Sequence, residues 1–93
     1  MLKHNSYFEG QVQSVGFERL GLRASVGVIV PGTFRFDTAK PERMTVVSGA
    51  LEAKLPGSES FVVFPAGTYF EVPGESAFDV RATEPAAYLC EYL

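Results

Sequence analysis

The chain has 93 residues, a formal net charge of −3, nine glycines, six prolines and one cysteine. We expect one small domain, residues 1–93, that buries only about two thirds of its unfolded surface. The scattered charges and acidic balance argue against a nucleic-acid-binding surface, and no apolar run approaches the ~20 residues of a membrane span. The N-terminus lacks the apolar stretch of a secretory signal, and the lone Cys90 excludes an internal disulfide, so we expect a cytoplasmic protein.

Short runs rich in Val, Phe, Tyr and Thr alternate with turn residues along the whole chain. β-branched and aromatic residues suit a pleated sheet, and the evenly spread Gly and Pro leave little room for a helix of about 10 residues. The pattern predicts an all-β fold, a small barrel or two-sheet jelly roll without substantial helix. In chain order, the ten predicted strands are residues 7–12, 14–17, 23–30, 33–37, 44–47, 50–55, 60–64, 68–72, 78–82 and 87–92.

Four of these strands have side chains that divide cleanly between two faces, because successive residues of a strand point to opposite sides. Within each strand, the residues that we predict to share one face are, in turn, Arg23, Ser25, Gly27 and Ile29; Phe34 and Phe36; Glu42, Met44 and Val46; and Tyr88, Cys90 and Tyr92. Several strands are apolar on one side and mixed on the other. A barrel with a filled interior and a few polar groups at its mouth has this pattern.

Glu42 is the first candidate for chemistry, because it opens a strand whose same-face neighbours are apolar. A carboxylate there can position a sugar hydroxyl or transfer a proton, and it can equally be a strand-start charge that reaches solvent. Arg23, which shares a face with Ser25, and Arg35, between two phenylalanines, offer donor forks for phosphate or carboxylate. The alternative for each arginine is a guanidinium that lies along its own sheet in solvent.

The sequence contains few residues that could bind a metal or act as a thiol nucleophile. His4 is the only histidine, in a stretch expected to fray, and one histidine does not make a metal site. With only one histidine, a Ser-His or Cys-His nucleophile pair is not expected, unless His4 of a neighbouring subunit supplies the histidine. Cys90 is expected to be a small buried packing residue rather than a nucleophile.

Glu42, which precedes Gly49 in a strand and turn, together with Pro65 and Gly67, resembles the skeleton of the two cupin motifs. Metal-binding cupins normally carry two histidines before that glutamate and one after the second motif's glycine. The corresponding positions are held by Arg35 and Asp37 (or Phe36 and Thr38 on the shorter spacing) and by Phe70. The resemblance therefore predicts a cupin barrel without its metal ligands.

Most of the chain resembles a more specific family, the small single-cupin pyrimidine/purine nucleoside phosphorylases of bacteria. The stretches that carry the likeness are R-A-S-V-G-V (residues 23–28), P-E-R-M-T-V-V-S-G-A-L (41–51), F-E-V-P-G (70–74) and Y-L-C-E-Y-L (88–93). The resemblance implies phosphorolysis of purine and pyrimidine nucleosides to free base and ribose 1-phosphate, with broad specificity. It also implies a homodimer that uses phosphate as co-substrate and needs no metal or other cofactor.

The chemistry of that reaction suggests roles for the candidate residues. Cleavage of an N-glycosidic bond develops cationic character on the sugar and negative charge on the departing base. The residues assigned to these tasks are Arg23, Ser25 and Arg35 for phosphate, Glu42 for ribose, and Phe70, Tyr88 and Tyr92 for the base. Stacking on aromatic rings suits broad specificity, because every base has a π face.

Other readings of the same residues stay open. A non-catalytic, metal-free cupin that binds a small sugar or anion would use similar groups. A metal-dependent oxygenase or isomerase is disfavoured by the missing histidines, and a barrel for single-stranded nucleic acid is disfavoured by the acidic balance. We also predict that a homodimer buries the apolar face formed by Ala24, Val26, Val28 and Val30.

Overall fold

Ten β-strands and one 3-10 turn make up the computed structural model, which describes residues 1–93. The turn is Phe8–Gly10, and no helix has the length and hydropathy that a membrane crossing requires. The strands are β1 (Lys3–Tyr7), β2 (Val12–Arg19), β3 (Leu22–Ile29), β4 (Gly32–Thr38), β5 (Glu42–Ser48), β6 (Ala50–Lys54), β7 (Val62–Pro65), β8 (Tyr69–Val72), β9 (Ser76–Ala82) and β10 (Ala86–Tyr92). The prediction of an all-β fold without substantial helix is confirmed.

The amino-terminal stretch departs most from the sequence prediction. A strand over residues 7–12 is wrong, because the chain turns at Phe8–Gly10 and the strand lies upstream. The stretch expected to fray is instead β1, which pairs with β2, and His4 Nε2 lies 3.0 Å from Gln13 Oε1 across that pair. Backbone pairing to a longer neighbour orders a segment that has no core residues of its own.

The strands form two sheets in which every pairing is antiparallel. The larger sheet has the order β1-β2-β3-β10-β5-β8 and the smaller has the order β4-β9-β6-β7. Apolar side chains from both sheets pack into one core of 15 buried residues, among them Ile29, Met44, Leu51, Phe78 and Val80. The core therefore lies between the sheets, and the inner face of the larger sheet is the surface on which a site can form.

The predicted assignment of side chains to faces is confirmed on the larger sheet. Ser25, Gly27 and Ile29 of β3 point inward and are buried, whereas Val26 and Val28 are 45% and 53% exposed. The inward faces of β5 and β10 are the predicted sets as well: Glu42, Met44 and Val46, and Tyr88 and Cys90. Period-2 alternation is a local property, so it survives whatever the order of the strands.

Candidate functional site

Strand registers align the inward side chains of the larger sheet into rows that cross it. One row contains Glu18, Arg23, Tyr92 and Glu42; the next contains Lys3, Gly16, Ser25, Cys90, Met44 and Phe70. A third contains Asn5, Ser14, Gly27, Tyr88 and Val46, and a fourth contains Tyr7, Val12, Ile29 and Ala86. Polar side chains thus concentrate in the first three rows, in the part of the face that the apolar core leaves uncovered.

A cavity of about 280 Å³ opens over these rows. Its wall carries five aromatic side chains, Tyr7, Phe8, Phe36, Tyr88 and Tyr92, and the polar side chains of Ser14, Ser25, Arg35, Asp37 and Glu42. An apolar, aromatic wall with a few convergent polar groups is the usual form of a small-molecule site.

Glu42 is the buried carboxylate of this cavity, with 8% of the residue exposed. A neighbour on the adjacent strand β10, Cys90, donates a hydrogen bond from Sγ to Oε1 at 3.3 Å. Burial raises the pKa of the Glu42 carboxyl, and the bond from the thiol offsets part of that rise. Glu42 therefore holds its proton to a higher pH than an exposed glutamate does.

Three neighbouring groups titrate above their ordinary range. Burial, together with the Glu42 carboxylate, raises the pKa of the Cys90 thiol, so the expectation of an unreactive packing cysteine agrees with its surroundings. Burial also raises the pKa of Tyr88 and that of Tyr92, mainly by removing water from the phenols. Both phenols stay protonated near neutral pH and can donate hydrogen bonds to a bound molecule.

A second cavity, of about 340 Å³, adjoins the first and shares Ser25 and Tyr92 with it. Its lining includes two cationic side chains, Lys3 and Arg23, and one carboxylate, Glu18. Neither Lys3 nor Arg23 belongs to an ion pair, although Arg23 Cζ lies 5.7 Å from the centre of the Tyr92 ring. Unpaired cations beside a hydroxyl and a cavity are suited to an anion.

The two arginines predicted for the site therefore differ in their surroundings. Arg35 lines the first cavity but is largely exposed, and its Nη1 donates to Asp79 Oδ1 at 3.1 Å. Arg23 lines the second cavity and has no carboxylate partner. The donors of Arg23 remain available for a ligand.

The structure brings five of the seven predicted site residues to the first cavity: Ser25, Arg35, Glu42, Tyr88 and Tyr92. Arg23 joins them through the adjoining cavity. Phe70 lines neither cavity, because it is 4% exposed and packs between Phe64 and Phe78, with ring centres 4.7 and 5.9 Å away. Phe70 points to the same side of the larger sheet as the site residues. At its position, however, side chains of the smaller sheet cover that side.

Sequence patterns assign no site role to Tyr7, Phe8 or Ser14. All three line the first cavity, and two of them, Tyr7 and Phe8, lie in the stretch 7–12 that was predicted to be a strand. Period-2 alternation puts Tyr7 and Ser14 on the inward faces of their strands, and this signal would have found these two residues, whereas no local pattern indicates Phe8. The cavity also includes Phe36 and Asp37, which stand at the replaced ligand positions of the cupin motif.

No three His, Cys, Asp or Glu side chains lie close enough together to hold a metal ion. In the first cavity the groups of these types are Asp37, Glu42 and Cys90. A catalytic zinc site requires about three convergent protein ligands, which these residues do not form. Independence from metal stays a prediction that activity measurements must test.

Known proteins resemble this chain over its whole length. A family model described as pyrimidine/purine nucleoside phosphorylase matches residues 2–92. A protein of that name from Sorangium cellulosum is 64% identical over 93 residues, which cover 100% of both chains. A crystal structure of a protein of unknown function from Vibrio parahaemolyticus superposes with a TM-score of 0.97 at 47% identity, covering 100% of this chain and 99% of that one.

A more distant structure identifies the fold. The cupin domain of a transcriptional regulator from Enterobacter cloacae superposes with a TM-score of 0.73 at 14% identity, covering 87% of this chain and 94% of the other. At that identity the likeness concerns architecture alone, and it confirms the predicted cupin barrel. With the match over residues 2–92, it follows that the chain belongs to the pyrimidine/purine nucleoside phosphorylase family.

Proposed function

We propose that this protein is a nucleoside phosphorylase that converts purine and pyrimidine nucleosides and phosphate to free base and ribose 1-phosphate. The observation that carries the proposal is the pair of adjoining cavities that share Ser25 and Tyr92. One has an aromatic wall and the buried carboxylate of Glu42, and the other has the unpaired cations Lys3 and Arg23. A reaction between a nucleoside and an anion needs two such compartments side by side.

The reaction breaks the bond between C1′ of ribose and the base nitrogen and forms a bond from a phosphate oxygen to C1′. The bonding electron pair leaves with the base nitrogen, which takes up the proton that hydrogen phosphate gives up. No covalent intermediate with the protein is required, because phosphate is the nucleophile. The protein's contribution is to hold both reactants and to stabilise the positive charge that develops on the sugar.

Glu42 is the group placed to stabilise that charge. As a carboxylate it accepts hydrogen bonds from ribose hydroxyls and lies near the developing cation, where a low-dielectric setting strengthens the attraction. The protonated phenols of Tyr88 and Tyr92 donate hydrogen bonds, and their rings contribute to the aromatic wall. Glu42, Tyr88 and Tyr92 are thus the proposed ribose and base contacts.

Phosphate is held by Arg23 and Ser25, with Lys3 as an added positive charge in the same cavity. The guanidinium offers two parallel donors to phosphate oxygens, and Ser25 lies on the side that both cavities share. Arg35, which lines the first cavity and is engaged with Asp79, contributes a further positive charge near the substrate. This arrangement places the nucleophile beside the ribose rather than beyond the base.

A nucleoside panel tests the function. The purified protein is incubated with adenosine, inosine, guanosine, uridine and cytidine, with and without phosphate, and free base and ribose 1-phosphate are measured by chromatography. We expect release of base that depends on phosphate. Saturable binding without release would instead identify a non-catalytic cupin that holds a sugar or anion in the same cavity.

Independence from metal is proposed because the cavities carry no cluster of metal-ligand side chains. Dialysis against a strong chelator should leave the phosphorolysis rate unchanged, and elemental analysis should find no stoichiometric transition metal. A rate that collapses in chelator and returns with one added metal would contradict this proposal.

We propose further that two copies associate through the outer face of the larger sheet. Val15, Val26 and Leu89 lie side by side on β2, β3 and β10, and Val28 lies beside Ala87 in the next row. Val15, Val26 and Val28 are between 38% and 53% exposed, although their side chains are wholly apolar. Pairing of two such faces removes this apolar surface from water.

Oligomeric state in solution tests this association. Light scattering should report a dimer at micromolar concentration, and Val26→Lys should yield monomers, because a charge cannot be buried there unpaired. Val63→Lys is the matched control, since Val63 is 61% exposed on the smaller sheet. A monomeric parent protein would refute the dimer.

A further inference from the structure

Three consecutive residues in the turn between β1 and β2 have left-handed backbone conformations, and the first of them, Phe8, lines the first cavity. The φ angles are +52° at Phe8, +58° at Glu9 and +88° at Gly10. Glycine adopts this conformation freely, but for a bulky residue such as phenylalanine it is an outlier that costs free energy. Such strain persists only where the surroundings hold it, and it clusters at functional sites.

Two other residues that are not glycine have left-handed φ angles, and both lie in short turns between strands. Leu20 is followed by Gly21 in the two-residue turn between β2 and β3, where both central residues of a type I′ turn need positive φ. Glu75 is a single residue in the turn before β9. Phe8–Gly10 is different, because four-residue hairpin connections are most often built around a type I turn, which uses negative φ.

Two hydrogen bonds hold the turn in its conformation. The Gln11 backbone N–H donates to the Phe8 carbonyl at 3.1 Å, and the Gln13 side-chain amide donates to the Gly10 carbonyl at 3.0 Å. The Phe8 ring is thereby held against Phe34, with ring centres 5.0 Å apart, and nearly parallel to Phe36, with an angle of 14° between the planes. The turn fixes the direction of one aromatic side chain.

Burial does not account for that strain. Phe8 keeps 43% of its surface exposed, and Tyr7 beside it keeps 48%, although both line the first cavity. A phenylalanine whose purpose was packing would gain most by being covered. A strained backbone that presents a half-exposed ring to a cavity is instead the arrangement expected of a ligand contact.

The rows of the larger sheet show which part of a nucleoside this ring would meet. The row of Tyr7 and Val12 and the row of Tyr92 and Glu42 lie at opposite ends of the inner face, with two rows between them. If Glu42 contacts ribose, as the proposed function requires, the base extends toward the amino-terminal turn. A phenylalanine side chain offers a π face and no hydrogen bond, so it can stack on any base without reading the hydrogen-bonding edge of that base.

We infer that Phe8, held by the strained turn Phe8–Gly10, is the stacking contact for the nucleobase and a source of broad base specificity. The inference rests on the proposed function, because it uses Glu42 as the ribose contact. Stacking is worth more for the larger ring system of a purine than for a pyrimidine. Loss of the Phe8 ring should therefore weaken the binding of purine nucleosides more than the binding of pyrimidine nucleosides.

Kinetics of Phe8→Leu test the inference, because leucine keeps apolar bulk against Phe34 and removes the π face. We expect the KM for adenosine to rise about five- to a hundredfold, the KM for uridine to rise less, and the KM for phosphate to stay unchanged. The control is Tyr69→Leu, which removes an exposed aromatic ring that lines neither cavity, so nucleoside KM values should not change. Unchanged nucleoside KM values in an active Phe8→Leu variant would overturn the stacking role.

Fluorescence gives a readout that does not depend on turnover. The chain has no tryptophan, so Phe8→Trp introduces a single indole at the proposed stacking position. Adenosine and uridine, without phosphate, should quench its emission with saturation, whereas the emission of a Val63→Trp control should not respond. An unresponsive indole in a variant that cleaves nucleosides would overturn the inference alone. A parent protein that releases no base from any nucleoside would overturn the proposed function, and this inference with it.

Discussion

The ring of Tyr88 occupies the space that a β-carbon on Gly27 would need. The two residues are register partners on β10 and β3, and an ideal β-carbon at Gly27 would lie 2.7 Å from Tyr88 Cε1 and closer still to Cζ and the hydroxyl oxygen. Gly27 has no left-handed φ, so its requirement for glycine is steric rather than conformational. The missing side chain lets the Tyr88 ring lie against the sheet and form one wall of the first cavity.

Gly27→Ala should therefore damage both the fold and the site. The added methyl group forces the Tyr88 ring away from the sheet, and overpacking of this kind costs about 1–3 kcal/mol. We expect a lower melting temperature and a raised nucleoside KM. Gly16→Ala is the matched control for stability, because a β-carbon there meets nothing closer than 3.7 Å. Equal melting temperatures of both variants and the parent would contradict the steric argument.

Glu42→Gln should separate stability from activity. The carboxyl pKa is raised above its ordinary value of 4.5 because the group is buried, so the folded chain holds the proton to a higher pH than the unfolded chain. Stability from this group is fully present below the unfolded pKa and is lost as the pH rises through the folded pKa. Above that window we expect the Glu42→Gln variant to be at least as stable as the parent, as measured by thermal unfolding.

Activity of the same variant should fall, because glutamine has no charge with which to stabilise the cationic sugar. Loss of a charge-assisted interaction of about 1.5–3 kcal/mol predicts a kcat roughly ten- to a hundredfold lower. The parent's kcat should also decrease as the pH falls through the raised pKa, and the variant should lack this acid limb. Parental kcat in a folded Glu42→Gln variant would place the catalytic charge elsewhere.

Alternation along single strands predicts much of the site. The faces of β3, β5 and β10 follow from the period of two, so the sequence alone assigns Ser25, Glu42 and Tyr88 to the site faces of their strands. Which of these faces meet, however, depends on the order β3-β10-β5, which joins segments that are distant in the chain. That order depends on long-range packing, which no local pattern contains.

Phe70 and Phe8 show where local patterns fail. Phe70 has the correct alternation, but whether an inward residue meets a cavity or the core depends on the opposite sheet, and here Phe64 and Phe78 cover it. Phe8 follows a polar segment that has no core-forming pattern. Its β-prone neighbours predict a strand over residues 7–12, where the structure has a turn. Its position depends on the pairing of β1 with β2 and on left-handed angles that few phenylalanines adopt.

Cys90 should tune the titration of Glu42 without being a nucleophile. Cys90→Ala removes the thiol that donates to Glu42 Oε1, so the ionised carboxylate loses support and the acid limb of the pH–rate profile should move to higher pH. Cys90→Ser supplies a stronger donor and should move that limb the other way. Both variants should turn over nucleosides at high pH, because in the parent the raised pKa keeps the buried thiol protonated, and a protonated thiol is not needed as a nucleophile. Loss of all turnover in both folded variants would instead assign the thiol a direct chemical role.

Arg23→Ala should weaken the binding of phosphate rather than the binding of nucleoside. Arg23 lines the second cavity without an ion-pair partner, so the predicted loss is that of a charge-assisted contact, about 1.5–3 kcal/mol or a ten- to hundredfold fall in kcat/KM for phosphate. Arg23→Lys should recover only part of this loss, because an ammonium cannot reproduce the bidentate fork.

Two other arginines provide the comparison for Arg23. Arg19→Ala is the control for net charge, since Arg19 is exposed and lines neither described cavity. Arg35→Ala should have a smaller effect than Arg23→Ala, because Arg35 is largely exposed and already engaged with Asp79, and exposed ion pairs contribute little. Initial rates over a phosphate series at saturating nucleoside measure all four variants. If Arg35→Ala raised the phosphate KM more than Arg23→Ala did, phosphate would bind at the rim of the first cavity, and the second cavity would not hold the nucleophile.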